Sequence, residues 1–162
     1  MEDRQISIEE KLVNLLTEKG YSVSTAESCT GGLIASAIVN VAGCSQIFGQ
    51  GFITYANEAK IKYLKVNEKT IEKYGVVSKE TVEEMALGCA MESKSNTSMV
   101  TSGIAGPDGG TKEKPVGLVW MAVYIDGKII SDSQIFTGNR NEIRNKAAYY
   151  TMNMLIRELD KI

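Results

Sequence analysis

The sequence predicts an α/β fold: a single layered domain whose mixed β-sheet is packed between α-helices. Segments with helical periodicity alternate with strand-like segments along 162 residues, a length that suits one domain. Residues 116–125 are apolar on both faces, as in a central strand. The turn pair Asp126-Gly127 connects that strand to an antiparallel neighbour at 128–136. Helical crossovers and a hairpin in one chain indicate a sheet of mixed direction.

The first half of the chain begins with a clear helix signal. Ser7, with Glu10 three residues on, forms a capping box, and Gly20 ends the helix that follows. The elements expected next are a strand at 21–25, a helix at 33–41, a strand at 48–55, and a helix that Asn57 caps and that runs to about residue 64.

The second half continues the alternation. Ser78 is the expected cap of a strong helix, and Asn139, with Glu142, caps a long final helix. The other expected elements are a short helix at 66–74, a strand at 97–104, a long polar loop at 106–115 and the hairpin strands. The expected core face of the last helix consists of Ile143, Ala147, Tyr150, Met154 and Leu155.

Composition restricts the possible partners. The formal net charge is −2, so no overall basic excess favours nucleic acid or an anionic membrane surface. No apolar run is long enough to span a bilayer, and the polar N-terminus is unlike a signal peptide. We therefore expect a cytoplasmic protein with no membrane partner.

The chain contains no histidine. A Ser-His-Asp triad, a Cys-His pair and a His-ligated metal site are therefore excluded within one chain. The three cysteines are widely spaced and form neither a disulfide framework nor a zinc pattern. Any catalytic base must be Lys, Tyr, Asp or Glu, or must come from a partner.

Three segments could carry chemistry. The first, residues 26–32 (AESCTGG), lies between a strand and a helix, where amides at the helix N-terminus could bind a phosphate or an oxyanion. Ser28 there is placed like a nucleophile, although a simple helix cap is an equally good interpretation of these residues alone. The second, 102–110 (SGIAGPDGG), is a glycine-rich loop after a strand. The third contains Lys60, which could act as a base if its pKa were lowered.

Together these segments resemble the C-terminal domain of the CinA family, whose stand-alone form is the nicotinamide-nucleotide amidohydrolase (NMN deamidase, PncC). The resemblance covers nearly the whole chain. It is carried by the stretches 25–32, 51–60 (GFITYANEAK), 75–78 (GVVS), 102–110 and 113–117 (EKPVG). Larger CinA proteins also have an N-terminal domain that hydrolyses nucleotide pyrophosphates. These 162 residues do not include it, so we do not expect that activity.

The resemblance implies hydrolysis of nicotinamide mononucleotide to nicotinate mononucleotide and ammonia, with no metal or cofactor. Ser28 would be the nucleophile and Lys60 the base, acting directly or through Tyr55. The family often has Gly-Asp-Arg at the position where this chain has Gly-Asn-Arg, so the arginine, Arg140, is retained. The resemblance implies that Arg140 binds the phosphate. The implied substrate-binding residues are Thr30, Gly31, Gly32, Asn57, Ser102, Gly106 and Arg140. A homodimer or higher homo-oligomer is also expected.

Three alternatives remain at this point. The chain could be a nucleotide-binding module without catalysis, in which Ser28 is only a cap. It could be a docking domain related to competence, which a large exposed apolar patch would support. It could also use Cys29 as the nucleophile, with its pKa lowered by the helix N-terminus.

Overall fold

The computed structural model describes residues 5–162. That part of the chain forms six α-helices and five strands, with a 3₁₀ turn at Cys44–Gln46. In chain order the elements are α1 (Ile8–Lys19), β1 (Val23–Glu27), α2 (Leu33–Val39), β2 (Phe48–Ile53), α3 (Asn57–Leu64), α4 (Glu68–Tyr74), α5 (Lys79–Ser93), β3 (Thr97–Gly103), β4 (Leu118–Ile125), β5 (Lys128–Ile135) and α6 (Arg140–Leu159).

The five strands form one mixed sheet in the order β2-β1-β3-β4-β5. β1 pairs in parallel with β2 and β3, whereas β3 with β4 and β4 with β5 are antiparallel. The predicted α/β class with a mixed sheet is confirmed. β4, apolar on both faces, has a strand on each side, while β3 occupies the middle of the sheet.

Helices cover both faces of the sheet because alternate strand residues point to opposite sides. On one face, Met99 and Met121 pack against α1, α2 and α6 through residues such as Leu16, Ile38 and Leu155. On the other face, Val100 and Ala122 pack with α5 and the end of α3. The backbones of α3 and α5 approach closely, since a Cβ on Gly88 would lie 1.7 Å from the Leu64 carbonyl oxygen.

Most predicted caps are confirmed, and one is wrong. Ser7 and Asn139 form the capping boxes, and the Ser78 side chain accepts the Thr81 amide. At α3, however, Ala56 occupies the cap position with extended backbone, and Asn57 is the first helical residue. The Asn57 backbone is already inside the helix, so its side chain does not cap it.

The other differences are small. The helix expected from residue 66 begins at Glu68, after an Asn67 cap, and the strand expected from residue 116 begins at Leu118. On α6, Ile143, Ala147, Met154 and Leu155 are buried as predicted. Tyr150 is only partly buried because its hydroxyl bonds to Asp132 of β5.

The sheet brings three chain segments to one edge. β1, β2 and β3 run in parallel, so their carboxyl ends meet. The segments that leave this edge begin at Ser28, Thr54 and Ile104. The carboxyl edge of parallel strands is where α/β sheets commonly bind ligands.

Candidate active site

Ser28 opens a tight turn directly after β1. Its amide donates to the Thr101 carbonyl at 3.2 Å, which extends the pairing with β3, and its carbonyl accepts the Gly31 amide at 3.1 Å. Gly31 and Gly32 have φ of +58° and +103°, which glycine adopts without steric cost. Ser28 is 8% exposed, so the turn fixes a serine just below the surface.

Lys60, in the first turn of α3, reaches Ser28. Its Nζ lies 3.2 Å from Ser28 Oγ and donates to the carbonyl oxygens of Thr54 at 2.6 Å and Tyr55 at 3.3 Å. The residue is 1% exposed, which is rare for a lysine. Across residues 5–162 no carboxylate forms an ion pair with it.

Burial lowers the pKa of Lys60 to about 8, with a smaller opposing effect from Cys29. The cause is desolvation, which penalises the ammonium and is not offset by a carboxylate. A neutral amine at this position keeps two N–H donors, which match the Thr54 and Tyr55 carbonyls. Its lone pair can then accept the hydroxyl proton of Ser28, as a general base requires.

Glu27, the last residue of β1, is a site residue that the sequence analysis missed. Its fully buried carboxylate accepts the Thr30 hydroxyl at 2.7 Å and the amides of Ile34 at 2.9 Å and Ala35 at 3.1 Å. The expectation that the N-terminus of α2 offers these amides to a ligand is therefore wrong. A carboxylate from the protein already satisfies them.

Arg144 of α6 is the second residue that was missed. Its Nε donates to the Cys29 carbonyl at 2.9 Å, and its Nη2 donates to the Thr30 carbonyl at 3.0 Å. A Cβ on Gly31 would lie 3.2 Å from that Nη2, which leaves little room for a side chain there. The signal in the sequence was an arginine one helical turn after Arg140, on the same face of the helix.

Arg140, at the start of α6, joins two other segments of the site. It donates to the Gly106 carbonyl at 2.6 Å and to the Tyr55 hydroxyl at 3.1 Å. The phenol of Tyr55 is thus directed to Arg140, and only the backbone carbonyl of Tyr55 contacts Lys60. Two proton routes were considered, one directly from Ser28 to Lys60 and one through the Tyr55 hydroxyl. A hydrogen bond is present for the direct route.

The remaining predicted residues differ in what they can offer. The Thr30 hydroxyl and the Gly31 amide already form hydrogen bonds within the loop, to Glu27 and to the Ser28 carbonyl. Within residues 5–162, the amides of Thr30 and Gly32 have no hydrogen-bond acceptor. Ser102 is buried near the carboxyl end of β3, and Asn57 is exposed at the start of α3.

The geometry disfavours Cys29 as the nucleophile. Cys29 is 5% exposed, and burial raises the pKa of its thiol to about 11, with weaker opposing effects from Thr101 and Arg144. A cysteine nucleophile needs a low pKa to exist as thiolate. Cys29 instead packs in the core beneath the turn.

The fold and the site together define an α/β protein with a buried Ser–Lys pair at the carboxyl edge of a mixed sheet. A family model described as the CinA C-terminal domain matches residues 5–159. The chain belongs to this CinA family.

Related proteins and solved structures agree with this assignment. A putative competence-damage inducible protein from Clostridium beijerinckii is 51% identical over 156 residues, covering 96% of this chain and 38% of that protein. A CinA-like protein from Kosmotoga olearia is 51% identical over 153 residues, covering 94% of this chain and 37% of that protein. The chain thus spans well under half the length of these curated relatives.

Two solved structures share the fold over nearly their full length. A CinA superfamily protein from Klebsiella pneumoniae superposes with a TM-score of 0.92 at 31% identity, covering 96% of this chain and 97% of that one. A competence/damage inducible protein from Agrobacterium tumefaciens gives 0.90 at 40% identity, with 99% of both chains covered. In the described part of this chain, no helix is long and apolar enough to cross a membrane.

Proposed function

We propose that this protein hydrolyses the carboxamide of nicotinamide mononucleotide to nicotinate mononucleotide and ammonia. One observation carries the proposal: a buried Lys60, without a carboxylate partner in residues 5–162, lies 3.2 Å from Ser28 Oγ. A serine and an unpaired, desolvated lysine form a nucleophile and its base. The carboxamide substrate follows from the CinA resemblance.

In the first half of the reaction, Ser28 Oγ attacks the carboxamide carbon while neutral Lys60 takes the hydroxyl proton. The Thr54 and Tyr55 carbonyls orient the amine for this step. Developing charge on the carboxamide oxygen is stabilised by loop amides that are not already bonded, those of Thr30 and Gly32. The tetrahedral intermediate then collapses, the C–N bond breaks, and the Lys60 ammonium protonates the leaving group to give ammonia.

In the second half, water attacks the acyl ester on Ser28. Lys60, neutral again, takes a proton from that water and returns it to Ser28 Oγ as the ester bond breaks. The products are the free serine and nicotinate mononucleotide. The same base acts in both halves, so no second proton acceptor is required.

The substrate's phosphate is assigned to Arg140. This guanidinium lies at the exposed start of α6, and within residues 5–162 its hydrogen bonds go to one carbonyl and one phenol. Within the described residues it has no ion pair, so its charge is available to an anion. The Gly106 loop and Tyr55 hold the arginine in place, which limits the ordering cost of binding.

The test is ammonia release from nicotinamide mononucleotide by the wild type, Ser28→Ala and Lys60→Met. Matched controls are Ser36→Ala and Lys62→Met, exposed positions on α2 and α3 outside the site. We expect turnover in the wild type and both controls, and a loss of at least about 1000-fold in the two site variants. Binding of the nucleotide without ammonia release by the wild type would instead identify a binding module. Turnover unaffected by Ser28→Ala would reject this nucleophile.

A further inference from the structure

Arg144 binds the Ser28 turn from outside the reacting groups. Its guanidinium spans two successive carbonyls, those of Cys29 and Thr30, and forms no hydrogen bond with the side chain of Ser28 or Lys60. Among residues 5–162 it has no carboxylate partner. The hydrogen bonds that Arg144 forms therefore fix the orientation of two peptide groups.

Those two peptide groups determine where two amides point. Gly106–Pro107 is the one cis peptide bond in the described range, so the Cys29–Thr30 and Thr30–Gly31 bonds are trans. In a trans peptide the N–H points opposite to the C=O. With both carbonyls held by Arg144, the N–H groups of Thr30 and Gly31 point away from the guanidinium.

The Gly31 amide shows what lies on that opposite side. It donates to the carbonyl of Ser28, so the side away from Arg144 is the side of the nucleophile's own residue. The Thr30 amide points to the same side but has no acceptor within residues 5–162. Thr30 is fully buried, so a substrate oxygen reaches this amide only when the carboxamide is bound against Ser28. A backbone donor that is held in place, unpaired and next to a nucleophile is the element from which oxyanion sites are built.

We propose that Arg144 is a positioning residue that aims the Thr30 amide at the oxyanion formed when Ser28 attacks. The inference rests on the proposed amidase function and adds a named donor and the group that holds it. Arginine suits the task because its planar fork bonds two carbonyls at once, whereas lysine is a single point charge. Gly31 suits it because a side chain there would crowd Nη2.

The experiment compares Arg144→Lys and Arg144→Met with Arg157→Met, a matched control on the same helix whose guanidinium lies over the Tyr150 ring. Removing one oxyanion donor lowers kcat by about 100- to 1000-fold in enzymes where it has been measured. We expect about a 10- to 100-fold fall in kcat for both Arg144 variants, since the amide is misdirected rather than deleted. KM should stay within about twofold, and the control should match the wild type.

Two further measurements separate aiming an amide from general loosening of the fold. An aldehyde analogue of the substrate should form an adduct with Ser28 whose oxyanion uses the same donor, so its affinity should fall by the same factor as kcat/KM. Replacing the amide N–H of Thr30 by an ester oxygen should give a similar fall. Combined with Arg144→Lys, the two losses should not add, because both act on one donor.

The outcomes are distinct. Wild-type kcat in folded Arg144 variants overturns the inference alone, and so does a change confined to KM, which would make Arg144 a substrate-binding residue. Losses in kcat that add when the Thr30 ester is combined with Arg144→Lys also overturn the inference. If the Met variant does not fold, the Lys variant and the ester decide. A wild type that releases no ammonia rejects the proposed function, and the oxyanion role with it.

Discussion

Glu27 Oε1 accepts the backbone amide of Ile34 at 2.9 Å inside the protein. The carboxylate that begins the Ser28 turn is therefore also the group that satisfies the first turn of α2. One buried residue links the shape of the turn to the start of the helix behind it. This link and the positive φ angles of Gly31 and Gly32 together define the turn that holds Ser28.

Glu27→Gln should destabilise the protein. Glutamine keeps one acceptor oxygen, which can serve the Thr30 hydroxyl and the Ile34 amide, but its NH2 group then faces the Ala35 amide, which needs an acceptor. We expect a loss of about 2–3 kcal/mol in the free energy of unfolding, measured by urea denaturation. Glu72→Gln, an exposed site on α4, should change it by less than about 0.5 kcal/mol. Equal effects in the two variants would contradict a special role for Glu27.

The proposed mechanism predicts how the rate depends on pH. The pKa of Lys60 is lowered to about 8, and only the neutral amine can accept the Ser28 proton. The value of kcat/KM should therefore rise about tenfold per pH unit below that pKa and level off above it. Ammonia release measured from pH 6 to pH 10 checks this. A flat profile, or a midpoint near the ordinary lysine value of about 10.5, would argue against Lys60 as the base.

The same pKa predicts a pH dependence of stability. Between about 8 and 10.5 the unfolded chain keeps a proton on Lys60 that the folded protein has lost, so stability rises with pH in this window. From pH 7 to pH 10.5 the free energy of unfolding of the wild type should increase, relative to that of Lys60→Met, by at most about 3 kcal/mol. Urea denaturation of both proteins at each pH isolates this lysine. Parallel curves would mean that its pKa is not lowered.

Tyr55→Phe tests whether the phenol carries the proton. The backbone carbonyl that contacts Lys60 is kept in this variant, and only the bond from Arg140 to the hydroxyl is lost. We expect the turnover rate to stay within about threefold of the wild type and KM to rise modestly, since Arg140 loses one of the groups that hold it. If turnover instead fell by about 100-fold or more, Tyr55 would return to the proton route.

Arg140→Met tests the assignment of the phosphate. A charge-assisted bond contributes about 1.5–3 kcal/mol, so KM for nicotinamide mononucleotide should rise about 10- to 100-fold. The matching comparison is nicotinamide riboside, which has no phosphate and should be processed equally by the wild type and the variant. If KM rises by the same factor for both substrates in the variant, Arg140 does not bind the phosphate.

The sequence predicted the fold well where its signals were local. Caps at Ser7, Ser78 and Asn139, and the Asp126-Gly127 turn, lie where their side chains or backbone preferences dictate. The predicted start of α3 was wrong by one residue because Ala56 has no polar side chain that would mark it as the cap position. The order of the strands depends on packing between distant segments and was not predicted.

The candidate site divides in the same way. Ser28 and Lys60 were named from the motifs, and the structure brings them together. Glu27 was missed because its contacts within the turn leave no pattern in the sequence, and Arg144 was missed because its spacing from Arg140 indicates a shared helix face but not the carbonyls that it binds. The environment of Lys60 was equally hidden, since two backbone carbonyls take the place of a carboxylate.

The absence of a carboxylate beside Lys60 in the described part of the chain has a consequence for the end of the catalytic cycle. In the proposed reaction an uncharged carboxamide becomes a carboxylate, and this carboxylate forms next to a lysine that has no ion-pair partner in the described residues. Once Lys60 is protonated, the product supplies that counterion and gains an attraction that the substrate lacks. Product inhibition should therefore be strong and should grow as the pH falls below about 8. In acidic surroundings the protein would then respond to accumulated nicotinate mononucleotide by slowing its own turnover.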